Sequence, residues 1–430
     1  MTSGTHRSIE AVWRIESARI IAGVARIMRD VGIAEELAQD ALVSALEQWP
    51  AAGVPDNPGA WLTTAARRRA LDWLRRSKLL ERKHGELGRE MEVHEEIAMA
   101  DAAAAIDSAL DDEVGDDLLR LVFTACHPVL APEARVALTL RLLGGLTTAE
   151  IARANLVAEA TIAQRIVRAK RTLTEARVPF QVPGKEELAG RLSSVLEVLY
   201  LIFNEGYSAT AGDDWMRPTL CEEALRLGRI LAELTPAQPE VHGLVALMEI
   251  QASRAGARIG PSGEPVLLLE QNRSRWDRLL IGRGLAALAR AESLGGSLGP
   301  YALQAAIAAC HARARTAQET DWQRIAALYY ALAQLSPSPV VELNRAVAVS
   351  MAFGPEAGLE IVEGLAEEPA LKGYHLLPTV RGDLLARLGR VDQARHEFQR
   401  AAALTRNTRE RQLLLARADG CLPLPPGTGG

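Results

Sequence analysis

The chain has 430 residues, enough for two or three domains that each bury a real core. Apolar residues make up 48% and aromatics only 4%, Ala and Leu dominate, and period-two runs of β-branched and aromatic residues are missing, which excludes a β-rich fold and points to an all-α one. The net charge is −5, no apolar segment approaches the ~20 residues that cross a bilayer, and the charged N-terminus MTSGTHRSIEAVWRIES is no signal peptide, so a soluble cytoplasmic protein that makes no membrane contact is expected.

Segment 9–49 carries helical periodicity through Val12, Ile15, Ile20, Val24 and Ile27, then Leu37, Ala41, Leu46 and Trp49, with a break near Gly32. From Asp30 to Asp56 every ionisable residue is acidic. The run PAAGVPDNPG (50–59) predicts a loop, and helix resumes from Ala60 to about Ser77. That helix has an apolar stripe of Leu62, Ala66, Ala70, Trp73 and Leu74, and the charge now reverses, with Arg67, Arg68, Arg69, Arg75, Arg76, Lys78, Arg82 and Lys83. Residues 79–115 hold few large apolar side chains and many acids and predict a linker.

Compact helices return from Asp116 to about Ala176. Thr147-Thr148-Ala149-Glu150 has the spacing of a capping box and predicts a helix start. A short helix ends near Asn155, and a second runs from about Glu159 to Leu173 with Ile162, Ile166, Ala169 and Leu173 on its buried face. Its other faces present Thr161, Gln164, Arg165, Arg168 and Arg171. Two short helices, a tight turn and a basic second helix describe a helix-turn-helix that enters the DNA major groove. A helical pair with a merely solvated cationic face is the alternative for this motif taken alone.

After VPFQVPG (178–184) comes a succession of helices separated by LTPAQPE, GPSGEP, LGGSLGP, LSPSP and FGPEA. The stretch 382–404 matches the second half of a tetratricopeptide pattern, with Leu388-Gly389, Ala394, Phe398 and Ala401, and weaker echoes begin at Phe353-Gly354 and Trp322. The tail therefore reads as a helical-repeat domain, whose concave face would take an unknown protein or peptide partner. Within it, FNEGYSATAGDDWMRPTLC (203–221) stands apart, and Asn204, Glu205, Asp213, Asp214 and Trp215 mark either a partner, ligand or self-docking site or a capped turn. Cys126, Cys221, Cys310 and Cys421 are too scattered for a disulfide framework, and the pair Cys126-His127 lacks a second pair for a zinc site. No metal or other cofactor is expected, and no nucleotide-binding or hydrolase motif indicates an enzyme.

An acidic helix, a basic helix, a linker and a basic helix-turn-helix, in that order, resemble the extracytoplasmic-function (ECF) sigma factors of the sigma-70 family. AEELAQDALVSALEQW (34–49) is similar to their region 2.2, NPGAWLTTAARRRALDWLRR (57–76) to regions 2.3 and 2.4, and LTTAEIARANLVAEATIAQRIVRAKRTL (146–173) to region 4.2. The tail resembles the long tetratricopeptide-like extension of one subgroup. The resemblance implies a region 2 helical bundle over 1–80, a linker over 81–115, a region 4 helix-turn-helix domain over 116–178 and a regulatory helical domain over 179–430.

The same resemblance implies that Glu35, Glu36, Gln39 and Asp40 contact the β′ clamp helices of core RNA polymerase. It implies that Asn57, Arg67, Arg68, Arg69, Asp72, Arg75 and Arg76 engage the −10 element, and that Thr161, Gln164, Arg165, Arg168 and Lys170 read the −35 element. Trp61 invites a role as a stacking platform for an unpaired base, but its place on the apolar stripe favours core packing, as for Trp49 and Trp73. The helix-turn-helix departs from many members by having Leu156 where they carry glycine, with Asn155 a candidate for the left-handed turn residue. The competing reading is a helix-turn-helix activator with a repeat-type sensor, which leaves the acidic-then-basic pair at 34–76 without a purpose.

Overall fold

A computed structural model describes residues 2–84, 114–155, 157–208, 211–212, 215–261 and 264–421. Most of the expected linker, the turn at Leu156, and Asp213 and Asp214 lie outside the described residues. The chain divides into two compact units, Met1–Leu199 and Tyr200–Gly430.

In the first unit α1 (Thr2–Met28), α2 (Val31–Ala52) and α3 (Pro58–His84) pack on one another. The break between α1 and α2 falls at Arg29, whose φ of 55° ends one helix, and Asp30, whose carboxylate accepts from the Gly32 and Ile33 amides to start the next. The core of this bundle is rich in alanine: Ala34, Ala38, Ala41, Ala45, Ala66 and Ala70 are fully buried, with Ile20, Val24, Leu62 and Trp49 between them. Ile15 lies outside the stripe that runs through Ser17, Ile20, Ile21 and Val24, and is exposed. The expected loop begins later than its prolines suggest, because Pro50 sits inside the last turn of α2 and the chain turns only at Gly53, with φ of 88°. At its far end α3 outruns the expected stop at Ser77, since no glycine or proline interrupts it before Gly85.

The second part of this unit contains α4 (Val114–Ala125), α5 (Pro132–Leu142), α6 (Thr148–Asn155) and α7 (Glu159–Glu175). The capping box forms as spaced: the Glu150 amide donates to Thr147 Oγ1 at 3.1 Å, and Glu150 Oε2 accepts from the Thr147 amide at 2.8 Å. Ile162, Ile166, Ala169 and Leu173 form the buried face of α7. A long helix, α8 (Lys185–Tyr207), crosses the division at Leu199. Its first half caps the end of α4, with Arg191 donating to the Phe123 carbonyl at 2.8 Å and Ser194 to the Cys126 carbonyl at 2.7 Å. The first compact unit thus extends past the 178/179 boundary expected, because this half of α8 supplies partners that α4 lacks.

The second unit continues with α9 (Pro218–Leu234), α10 (Pro239–Ala252), α11 (Arg278–Ser293), α12 (Pro300–Arg313), α13 (Trp322–Leu335), α14 (Pro339–Phe353), α15 (Pro355–Gly364), α16 (Leu376–Arg387), α17 (Val391–Leu404) and α18 (Thr408–Gly420). Most pack on their neighbours in sequence, but α10 takes both α11 and α12 against it, and α12 touches α11 only slightly. Prolines from four of those turns, Pro239, Pro300, Pro339 and Pro355, occupy the first turns of α10, α12, α14 and α15, where a missing amide hydrogen costs nothing. The tetratricopeptide-like stretch forms the pair α16–α17, turning at Gly389 (φ 74°) and burying Ala394, Phe398 and Ala401. In the weaker echo the buried residues are Gly358, Leu359 and Val362 and Phe353 is exposed, so the apolar face is offset from the pattern. Two-residue strands β1 (Ala211–Gly212) and β2 (Arg406–Asn407) pair in parallel and join the beginning of this unit to its end.

Close helix contacts depend on residues without side chains. A Cβ on Gly243 of α10 would lie 2.7 Å from the Ala302 backbone nitrogen of α12, whereas one on Gly282 of α11 meets nothing within 4 Å. Gly243→Ala is expected to destabilise the protein by about 1–3 kcal/mol through overpacking, and Gly282→Ala to stabilise it by about 0.5–1 kcal/mol. Urea unfolding followed by circular dichroism measures both.

Candidate nucleic-acid and protein interfaces

The acidic helix α2 divides its carboxylates between two environments. Glu36 and Asp40 are exposed and Gln39 is half-buried. Glu35, expected on the same open face, is only 3% exposed. One of its oxygens accepts from Arg141 Nε of α5 at 2.5 Å and from the Gln39 side-chain amide, and the other forms an ion pair with Lys170 Nζ of α7 at 2.5 Å. The resemblance implied a partner for Glu35 and DNA for Lys170; in the structure the two hold each other. Further links join α1 and the start of α2 to α4–α7. Thr174 Oγ1 donates to Asp30 at 2.8 Å, Arg26 pairs with Asp117 at 3.4 Å, and Arg14 pairs with Glu150 at 3.3 Å.

The basic helix α3 also divides its expected contacts. Asn57 caps it, accepting from the Ala60 amide at 3.0 Å. Arg69 donates to Ser44 Oγ of α2 at 2.5 Å and to the Ala65 carbonyl at 3.4 Å, so it fastens α3 to α2. Arg68, Asp72, Arg75 and Arg76 are exposed, with Asp72 pairing Arg75 at 3.5 Å, and Arg67 is half-buried. Trp49 is buried, as its place on the stripe implied. Trp73 is 38% exposed, which corrects the expectation of core packing; the buried line runs through Leu62, Ala66 and Ala70, and Trp73 turns away from it. Trp61 lies edge-on to Trp49, centroids 5.4 Å apart, and is only half-buried. Its ring helps line a cavity of about 490 Å³ together with Ser44, Gln48, Thr64, Arg68 and Arg69. An aromatic ring beside two guanidinium groups suits a base and its phosphate.

On α7, Gln164 and Arg168 are exposed, Thr161 and Arg165 are half-buried, and Val167 is exposed between them. Asn155 is not the left-handed turn residue. It ends α6 in helical conformation, donating to the Ile151 carbonyl at 2.8 Å, and among the described residues only Arg29 and Arg177 are non-glycine residues with positive φ.

In the second unit Asn204 and Glu205 belong to α8 rather than to a loop, and Glu205 pairs with Arg217. Trp215 faces Arg258, whose guanidinium carbon is 5.6 Å from its ring. Cys126 is buried with its sulfur 3.3 Å from Thr139 Oγ1, burial pushing the thiol up to about 11, and His127 Nδ1 accepts the Val129 amide. Among the described residues no three His, Cys, Asp or Glu side chains are grouped as metal ligands, and no helix is long and apolar enough to cross a membrane. Arg141, the partner of Glu35, carried no signal in the sequence, since it sits on a helix with no charge pattern of its own.

Residues 15–79 match the model of sigma-70 region 2, and residues 120–173 that of sigma-70 region 4. Residues 191–292 match a family of unknown function, DUF6596. An uncharacterised protein of Rhizobium meliloti is 43% identical over 92% of this chain and 91% of its own length. A probable ECF RNA polymerase sigma factor, SigI, of Mycobacterium tuberculosis is 27% identical over 45% of this chain and 68% of its own length. The ECF RNA polymerase sigma factor SigK of Mycobacterium ulcerans is 34% identical over 36% of this chain and 78% of its own length. With both sigma modules in order, and the acidic and basic helices placed as above, the chain belongs to the extracytoplasmic-function sigma factors and directs transcription initiation.

Proposed function

We propose that the exposed acids Glu36 and Asp40 of α2, with Gln39, dock on the β′ clamp helices of core RNA polymerase. In the same reading α3 engages the −10 element through Arg68, Arg75 and Arg76, with an unpaired base entering the cavity beside Trp61. Gln164, Arg165 and Arg168 of α7 read the −35 element. The exposed carboxylates suit a cationic partner. Melting costs a few kcal/mol, roughly what stacking one base on an aromatic ring returns.

The observation that carries this reading furthest is the Glu35–Arg141–Lys170 contact. Two promoter elements named for positions −10 and −35 lie about 25 base pairs apart, roughly 85 Å along B-DNA. A compact unit of about 200 residues has a radius of gyration of about 16 Å. The closed first unit is too small to touch both elements, so Lys170 must leave Glu35 before α3 and α7 can act together. Polymerase binding to α2 supplies the free energy for that separation. The second unit governs how readily it happens.

Arg141 touches neither proposed interface. Arg141→Ala leaves the buried carboxylate short of a partner, about 1–3 kcal/mol in the closed form, and is expected to raise run-off transcription at limiting core polymerase several-fold. Glu36→Lys should lower it at least tenfold under the same conditions; an equal response of the two variants would sink the docking model. Trp61→Ala is expected to slow transcription from duplex promoters and spare pre-melted ones, while Arg168→Ala weakens −35 binding by about 1–3 kcal/mol on both templates. Deleting residues 200–430 is expected to change the amount of run-off transcript without changing which promoters are used, and identical output would remove the regulatory role of the second unit.

A further inference from the structure

The connection between α10 and α11 carries four arginines; Arg275 is exposed, and of the other three only Arg273 makes side-chain hydrogen bonds among the described residues. Arg273 donates to the His311 and Ala314 carbonyls at 2.7 and 2.8 Å and to Thr320 Oγ1 at 3.0 Å, closing the end of α12. Arg258 instead lies over the Tyr207 ring, 3.6 Å from its centroid, with Trp215 at 5.6 Å. Arg254 lies 5.7 Å from Tyr207 and 5.9 Å from Trp276. Among the described residues no carboxylate stands within ion-pair distance of either guanidinium. The rest of the unit treats its cations otherwise: Arg229 meets buried Glu249 at 2.8 Å and Arg381 meets buried Glu397 at 2.7 Å.

The same cluster gathers buried nitrogens that have no hydrogen-bond partner: Arg254 Nε, Arg258 Nε, Trp215 Nε1, Trp276 Nε1 and His311 Nδ1. Four of these are obligatory donors, and a buried donor without an acceptor costs about 1–3 kcal/mol. We propose that Arg254 and Arg258, walled by Tyr207, Trp215 and Trp276, form a binding site for a small oxyanion, a carboxylate or phosphate, carried on a flat or apolar body. The two guanidinium groups and two indole N–H groups supply charge and donors for the oxyanion, and the aromatic faces take the body. Arg258 is only 9% exposed, which excludes a protein surface as the partner. Burial, then Arg254 and Arg273, push His311 down to about 3, so it adds no charge of its own near neutral pH. The site stands independently of the sigma assignment, since every residue in it lies in the second unit.

Titration of the full chain with phenyl phosphate and benzoate, against inorganic phosphate and acetate, tests the site through the emission of Trp215 and Trp276 and through thermal stability. The aromatic phosphate or carboxylate is expected to give a saturable emission change and a higher melting temperature, with the small anions at least tenfold weaker. Arg254→Gln and Arg258→Gln should each weaken binding at least tenfold, Arg258→Lys should recover part of it, and Arg283→Gln, exposed on α11, should change nothing. If Arg258→Gln fails to fold, Arg254→Gln carries the comparison. No saturable response to any of the four probes, or equal binding by wild type and the folded glutamine variants, overturns the proposal. Phosphate alone saturating as well as phenyl phosphate would overturn the aromatic part of it.

Discussion

One carboxylate holds the first unit closed. Glu35 is taken out of water between Arg141 and Lys170, contributed by two different helices of the region 4 module. Its burial is costly unless both cations stay, because a desolvated charge is tolerated only when paired and hydrogen-bonded. That requirement brings α5 and α7 onto α2 and, with Asp30, Asp117 and Glu150, aligns the two sigma modules along their charged edges. An apolar seam of the same size would be stronger and harder to open. An ionic one can be opened by competing charges.

Small side chains set the geometry elsewhere. Fully buried alanines line α2 and α3, and Gly243, Gly284 and Gly358 stand where neighbouring helices approach too closely for a Cβ. Few aromatics are needed when helices pack this near to each other, which accounts for their scarcity in the composition. Where aromatics do cluster, around Trp49 and Trp61 or around Tyr207, Trp215 and Trp276, buried core rings such as Trp49 and Trp276 stand next to polar or cationic groups.

The helical class, the capping box at Thr147, the buried face of α7 and the proline-led turns were legible because each follows from local rules of spacing and caps. The order of acidic helix, basic helix and helix-turn-helix was legible for the same reason. What the chain did not disclose was which charged residue meets which. Glu35 and Glu36 are adjacent and chemically alike, yet one is buried and the other exposed; the difference lies in Arg141, more than a hundred positions away. Asn57 and Arg69, expected on DNA, also serve as a helix cap and a tie between helices, roles fixed by neighbours in space. Trp73 misled because an apolar residue one step off the stripe looks like part of it. The contact between Arg258 and Tyr207 had no pattern at all.

The short parallel pairing of residues 211–212 with 406–407 alters how the second unit behaves as a material. A row of helix pairs in which each touches only its neighbours comes apart from its ends, one repeat at a time. Fastening the first loop to the final helix pair removes the free end, so that loosening α17 and α18 also releases the segment that carries Trp215. The row then has its two ends held to each other rather than one end free.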